Sequence, residues 1–375
     1  MSAKKHIVMI MANNSNVPYF TWFAEKAQND PNFVFSFICL HSELPTMIDE
    51  FKPMGIKTHW IYFDNNKRIS SMLKAVFALK KLFAEIKPDV VHSHLFDDTL
   101  PSMIAAKWSG IKNRVVTKQD TTFHWYYSPK GVKYDRLINR LAKKLIAVSG
   151  ECKDFILEKE KADPSKVVLI HHGVNTKVVC AQTEEFRKEL INKYNLSGKK
   201  VIITIARLIE WKGYKKIIET AEKVVTKFPN AVFLFVGEGD QKKELLKLIK
   251  EKNLNNNIIL TGWVERSRVP SLYGIADIYF HMANFEPFGF VFAEALVNGV
   301  PIVSNPTGAA KDAIENGKNG FLIKYNDVDG AADSIMTLLK AEQKELRSNA
   351  KRTGETMYTF ETMWKNHVAL YNSLN

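Results

Sequence analysis

The sequence predicts an α/β protein built from two doubly wound parallel sheets. Short apolar runs alternate with longer helical patterns from end to end, the arrangement of strand–helix–strand units. The alternation pauses after residue 170 and restarts at residue 201. A chain of 375 residues also exceeds what one hydrophobic core usually serves. We therefore expect a first domain over 1–177 and a second over 178–359.

In the first half, strands are predicted at 7–11, 33–39, 58–61, 90–92, 114–117, 145–148 and 167–170, with helices near 17–27, 69–86 and 135–144. A helix over 184–194 marks the junction. The second half repeats the pattern with strands at 201–205, 231–236, 258–261, 278–281, 301–304 and 320–323, and a helix is predicted over 360–374. Open sheets of this kind bind ligands at the carboxyl ends of their strands. Functional residues are accordingly expected in those loops, facing a crevice between the domains.

Composition narrows the class. Hydrophobic residues at 46% and charged residues at 25% suit a soluble globular protein. No stretch approaches twenty uninterrupted apolar residues, so no transmembrane helix is predicted. The apolar run at 7–11 is too short for a secretory leader and gives way to Asn13-Asn14-Ser15-Asn16, which reads as a first strand and its turn. Cys39, Cys152 and Cys180 have no metal-ligand spacing and cannot all pair, which fits a reducing cytoplasm. The net charge of +13 is uneven: residues 1–177 hold 26 basic against 17 acidic side chains, the remainder 27 against 23. Lys67, Arg68, Lys74, Lys80 and Lys81 surround one predicted helix, and Lys133, Arg136, Arg140, Lys143 and Lys144 another. These helices either meet an anionic membrane surface or are merely solvated polar faces.

The most informative segment is Glu286-Pro287-Phe288-Gly289-Phe290-Val291-Phe292-Ala293-Glu294. Pro287 and Gly289 punctuate a loop, and the apolar run after them reads as a helix start. Gly289, Phe290 and Val291 would then bring backbone N–H groups to the positive end of a helix dipole, a ready anion site, and Phe288 joins them among the donor-binding candidates. Glu286 precedes that site, and Glu294 lies one turn beyond Phe290 on the same face. A ligand with a central diphosphate and a hydroxyl-rich group at each end fits this spacing, as a nucleotide-sugar does. Two glutamates eight positions apart are, taken alone, a common accident.

The pattern resembles the E-x7-E motif of retaining glycosyltransferases of family 4. Ala206-Arg207-Leu208-Ile209-Glu210-Trp211-Lys212-Gly213, Phe235-Val236-Gly237-Glu238-Gly239, Leu260-Thr261-Gly262-Trp263-Val264, Thr307-Gly308 and Glu315-Asn316-Gly317-Lys318-Asn319-Gly320 are similar to further landmarks of that family, in its order. In the first half, Ile146-Ala147-Val148-Ser149 and His172-Gly173-Val174-Asn175 have counterparts. The resemblance implies the GT-B fold, two Rossmann-like domains facing a cleft. The first would be the acceptor side and the second would bind the nucleotide-sugar, with a C-terminal helix over 360–375 crossing back. It implies transfer with retention, with no metal and no other cofactor. Glu286 would contact the transferred sugar, Arg207 and Lys212 would hold the diphosphate, Glu294 the ribose hydroxyls, and Gly237 would lie beside the donor.

First-domain residues depart from the family. Gln119, in Lys118-Gln119-Asp120, stands where relatives usually carry a histidine near the transferred sugar, and it cannot carry a proton. His124 lies close enough in sequence to supply an imidazole. Asn13-Asn14-Ser15-Asn16 replaces a glycine-rich first loop. Asn14, His94, Asp120 and His124 are the acceptor-side candidates. His92-Ser93-His94 matches a family stretch, although two such histidines are more often packed structural residues than a metal pair.

The expected partners are a nucleotide-sugar, with UDP the commoner carrier, and a glycan or glycolipid acceptor in cell-surface polysaccharide or lipopolysaccharide synthesis. The expected place is the cytoplasm, at the inner face of the plasma membrane. A basic nucleic-acid-binding protein is the main alternative, but aromatic residues are not interleaved with basic ones as stacking platforms. A GT-B phosphorylase shares the fold, and a dinucleotide oxidoreductase lacks its Gly-x-Gly-x-x-Gly turn.

Overall fold

The computed structural model describes residues 4–13, 17–28, 30–119, 124, 125 and 128–374. Two all-parallel sheets organise them. The first contains β1 (Lys5–Met11), β2 (Phe33–His41), β3 (Lys57–Tyr62), β4 (Val90–Ser93), β5 (Asn113–Lys118), β6 (Lys144–Ala147) and β7 (Val167–Leu169), in the order β3-β2-β1-β4-β5-β6-β7. The second contains β8 (Lys200–Ile205), β9 (Ala231–Val236), β10 (Ile258–Gly262), β11 (Ile278–His281), β12 (Ile302–Ser304) and β13 (Gly320–Leu322), in the order β10-β9-β8-β11-β12-β13. All thirteen fall on the runs read from the sequence, with ends differing by at most two residues. Strands buried on both faces read as continuous apolar runs, which is why the central ones were legible, while the edge strands β3 and β7 are partly exposed.

The strand order reverses once in each sheet, at β1/β4 and at β8/β11. Loops leaving adjacent strands at such a point diverge to opposite faces and open a crevice at the carboxyl edge. The topology thus singles out the segments after β1, β4, β8 and β11.

The chain divides into two compact units, Met1–Ile170 with Trp364–Asn375, and His171–Met363. The second division falls inside the helix Phe360–Asn372. The end of that helix packs in the first unit, where Trp364 meets Phe23 and Phe35 and the Tyr371 hydroxyl bonds His92. In the second unit, Phe233, Phe235, Ile278 and Phe280 of the sheet pack against Ile217, Ile218 and Ala221 of the helix Tyr214–Lys227 and Ile335 of Val328–Lys340. Those helical residues recur at three- and four-residue spacing, the stripe an amphipathic helix buries.

One predicted helix moves. The segment expected at 135–144 is helical over Val132–Leu141 instead. Lys144 pairs with Val115 in the sheet and the Lys143 N–H donates to Arg114 O, so strand pairing ends the helix early. Among the described residues no helix is long and apolar enough to cross a membrane.

Candidate functional site

Lys212 and Glu286 meet at the switch point of the second sheet. Lys212 ends a tight turn, Glu210–Lys212, shortly after β8, and Glu286 lies in the loop after β11. Their side chains form a mostly buried ion pair joining Lys212 Nζ to Glu286 Oε2. Two glycines make this approach possible. A Cβ at Gly213 would lie 2.1 Å from Met282 O, and one at Gly289 would lie 2.7 Å from Glu286 Cγ. Both residues also have positive φ, 76° and 72°, where side chains other than glycine are strained.

Thr307 and Gly308 hold the Glu286 loop from the far side. The Glu286 N–H donates to Thr307 Oγ1 at 2.8 Å, and the Ala309 N–H donates to Phe288 O at 2.7 Å. Gly289 is the N-cap of the helix Phe290–Val297 and has no side chain of its own to cap the first-turn N–H groups. The first-turn N–H groups and the positive dipole end therefore adjoin the Glu286–Lys212 pair, and an anion would meet both.

His281, at the end of β11, went unnoticed in the sequence. It is fully buried between Tyr279 and Phe292, with Nε2 3.7 Å from Glu286 Oε2. Neither ring nitrogen has a hydrogen-bond partner among the described residues. Burial pushes its pKa down, so the ring is neutral. Burial alone would raise the Glu286 carboxyl, but His281 and Lys212 outweigh it and bring it down to about 2. Glu286 is thus a permanent carboxylate beside a cation. The only sequence signal was a histidine closing the apolar run Ile278-Tyr279-Phe280.

Glu294 is buried one turn into the helix. Arg266 Nη2 lies 2.9 Å from one carboxylate oxygen, and the Tyr273 hydroxyl donates to the other at 3.1 Å. Burial raises its pKa, with Arg266 and Tyr273 pulling the other way. Both oxygens keep a further lone pair, and the Arg266 side chain is exposed enough to swing aside. Neither partner stood out in the sequence, because each lies more than twenty residues from Glu294.

Arg207 is exposed, its guanidinium 6.0 Å over the Trp211 ring. Gly237 has φ of 141°, and a Cβ there would lie 2.1 Å from Ala206 O. It therefore lets the loop after β9 close against the loop that carries Arg207.

In the first unit, His94 follows β4 and Gln119 follows β5. They line a cavity of about 130 Å³ together with Arg68, Lys118, His124 and Asp135. Gln119 Nε2 lies 3.4 Å from His94 Nδ1, and His124 Nδ1 lies 2.9 Å from Asp135 Oδ2. Beneath it Lys118 pairs with Glu160 at 2.9 Å, and Asn139 Nδ2 donates to the same carboxylate at 2.7 Å. Burial raises the Asp135 pKa, against the pull of Lys118 and His124. Asn14 and Asp120 lie outside the described residues.

His92 proves structural. Its ring nitrogens lie 2.7 Å from the Tyr371 and Thr117 hydroxyls. The adjacent carboxylates after β4 are also engaged: Asp97 pairs with Arg68, and Asp98 accepts the N–H groups of His94 and Leu95.

A family profile described as Glycosyl transferases group 1 matches residues 186–357, and one described as Glycosyltransferase Family 4 matches residues 34–178. The chain is 27% identical over 305 residues to a 2-deoxystreptamine N-acetyl-D-glucosaminyltransferase of Niallia circulans, covering 76% of each chain. It is 27% identical over 274 residues to a UDP-Gal:alpha-D-GlcNAc-diphosphoundecaprenol alpha-1,3-galactosyltransferase of Escherichia coli, covering 70% of each. Matched spans range from 44% to 84% of such relatives' lengths. Among solved structures, Anabaena HepE in complex with UDP superposes with a TM-score of 0.81 at 18% identity, over 98% of this chain and 100% of that one. A glycosyltransferase from Rickettsia africae gives 0.78 at 22% identity, over 99% and 98%.

Proposed function

The chain belongs to glycosyltransferase family 4 and has the GT-B fold, and from that premise we propose that it moves a sugar from a nucleotide-sugar to a glycan or glycolipid acceptor, with retention. One observation carries this reading: an ionised glutamate paired with a lysine beside a helix N-terminus whose N-cap is a glycine, at the switch point of the second sheet. Charge that develops on the departing diphosphate would meet Lys212, Arg207 and the N–H groups of Gly289, Phe290 and Val291. Such fixed donors are usually the largest catalytic contribution. With that charge met by the protein, no metal and no other cofactor is needed.

Glu286 positions the transferred sugar by accepting from a ring hydroxyl. Glu294 takes the ribose hydroxyls on its remaining lone pairs. The leaving phosphate deprotonates the acceptor on the same face. His94, His124, Asn14 and Asp120 serve the acceptor side, and Gln119 bonds a sugar hydroxyl without moving a proton. UDP is the proposed carrier, supported by the UDP bound in Anabaena HepE. The product belongs to cell-surface polysaccharide or lipopolysaccharide synthesis, made at the inner face of the plasma membrane. The capsular polysaccharide glycosyltransferase CapM of Staphylococcus aureus, 24% identical over 330 residues, supports the product class.

Thermal melts against UDP-, GDP- and ADP-linked sugars test the reading, because a ligand that binds only the folded state raises its stability. A UDP-sugar should raise the midpoint of the wild type and not of Lys212→Ala. No response to any nucleotide-sugar would overturn the proposal.

A further inference from the structure

Four large apolar side chains stand in solvent on one side of the first unit. The helix Arg68–Ile86 buries Ser71, Ala75, Val76, Leu79 and Phe83. Its opposite side carries Ile69, Leu73 and Phe77, spaced four apart and therefore in one line along the axis. They are 80%, 61% and 64% exposed. Trp108, at the end of the adjacent helix Phe96–Trp108, is 56% exposed, and its ring lies 6.2 Å from that of Phe77. Single exposed apolar residues are ordinary, whereas a line of them that continues onto a second helix marks an interaction surface.

The charges around this line select its partner. The helix Arg68–Ile86 carries Arg68, Lys74, Lys80 and Lys81 against Glu85 alone. Lys81 continues the line four residues beyond Phe77, Lys80 lies two turns beyond Leu73 beside it, and Lys74 borders it, all exposed. A second copy docked here about a two-fold axis would set these lysines against their own counterparts. An anionic lipid surface accepts both parts, the lysines among its phosphates and the apolar side chains at the boundary of the acyl region.

We propose that this face, Ile69, Leu73, Phe77 and Trp108 within their lysine border, seats the protein on anionic phospholipid membranes by insertion. The second basic helix, Val132–Leu141, is not part of it. The inference rests on the peripheral placement proposed above, and its deciding readout, vesicle flotation, needs no sugar donor.

Flotation of the full chain should show binding to phosphatidylcholine vesicles containing phosphatidylglycerol, and little to phosphatidylcholine alone. Leu73→Ser with Phe77→Ser should abolish most of that binding. Each of Lys74→Gln and Lys81→Gln should weaken it about fivefold. Added salt should weaken it without abolishing it, because inserted apolar groups are not screened. Circular dichroism checks that the variants fold, and an unchanged donor-induced melting shift separates this surface from the transfer site. Wild-type binding by the Leu73→Ser, Phe77→Ser variant would overturn the proposal. So would a dimer that this variant dissolves, without vesicle binding by either protein.

Discussion

The two units place buried charge at corresponding ends of their sheets but assemble it differently. In the second, Lys212 and Glu286 lie in loops shaped by Gly213, Gly289 and Gly308, and a helix N-terminus completes the anion site. In the first, Lys118, Asp135 and Glu160 come from a strand end, a helix and a loop, and they neutralise one another beneath the cavity. The second arrangement keeps its cation beside an open anion site. Both lysines are paired with a carboxylate, but the Lys212 pair adjoins a helix N-terminus, whereas the Lys118 pair lies beneath the cavity. The contrast separates charge held ready for a ligand from charge that holds the fold.

Removing the lysine of each group sharpens that contrast most. Lys212→Ala should lower transfer by about a hundredfold or more, measured as steady-state turnover with excess donor. Adding Glu286→Gln should restore lost stability but not turnover, since the uncompensated carboxylate is gone and the cation is still missing. Lys118→Met should instead cost about 3 kcal/mol in urea unfolding, because Glu160 is left buried without its counter-charge. The nucleotide-induced melting shift should survive. A Lys118→Met protein of native stability would break the distinction.

The pH responses should also have opposite signs. Glu286 is held at about 2 against an ordinary 4.5, so its contribution is complete above 4.5 and lost as pH falls toward 2. Burial pushes Asp98 up to about 8 from 3.8, although the N–H groups of His94 and Leu95 favour its charged form. Its contribution is therefore complete below 3.8 and lost as pH rises through 8. Asp98→Asn should flatten the alkaline limb of a stability profile and leave the acid limb, while Glu286→Gln should do the reverse. The smallest effect belongs to Gly289→Ala. Its φ of 72° and the nearby Glu286 Cγ should cost about 1 kcal/mol and weaken donor binding, read by calorimetry.

How far the sequence was legible follows from how each feature is encoded. Parallel strands buried on both faces leave continuous runs such as Val201-Ile202-Ile203 and Phe233-Leu234-Phe235, so the central strands were readable. The Glu286 loop was readable because glycine and proline mark backbone geometry locally. Helix 135–144 was misplaced because its end is set by pairing with β5, a contact between distant residues. His281, Arg266 and Tyr273 escaped for a related reason: their roles depend on which carboxylate they face.

By itself the sequence determined the alternation of elements and the two-sheet class, which follow from local periodicity, and turn chemistry marked the loop between Glu286 and Glu294; Arg207 and Lys212 stood out through the family resemblance. Only the tertiary structure decided that Lys212 pairs with Glu286, that Arg266 and Tyr273 occupy Glu294, and that Lys118 is engaged by Glu160. Electrostatic partnership falls steeply with distance and with exposure to water, and folding sets both for residues far apart along the chain.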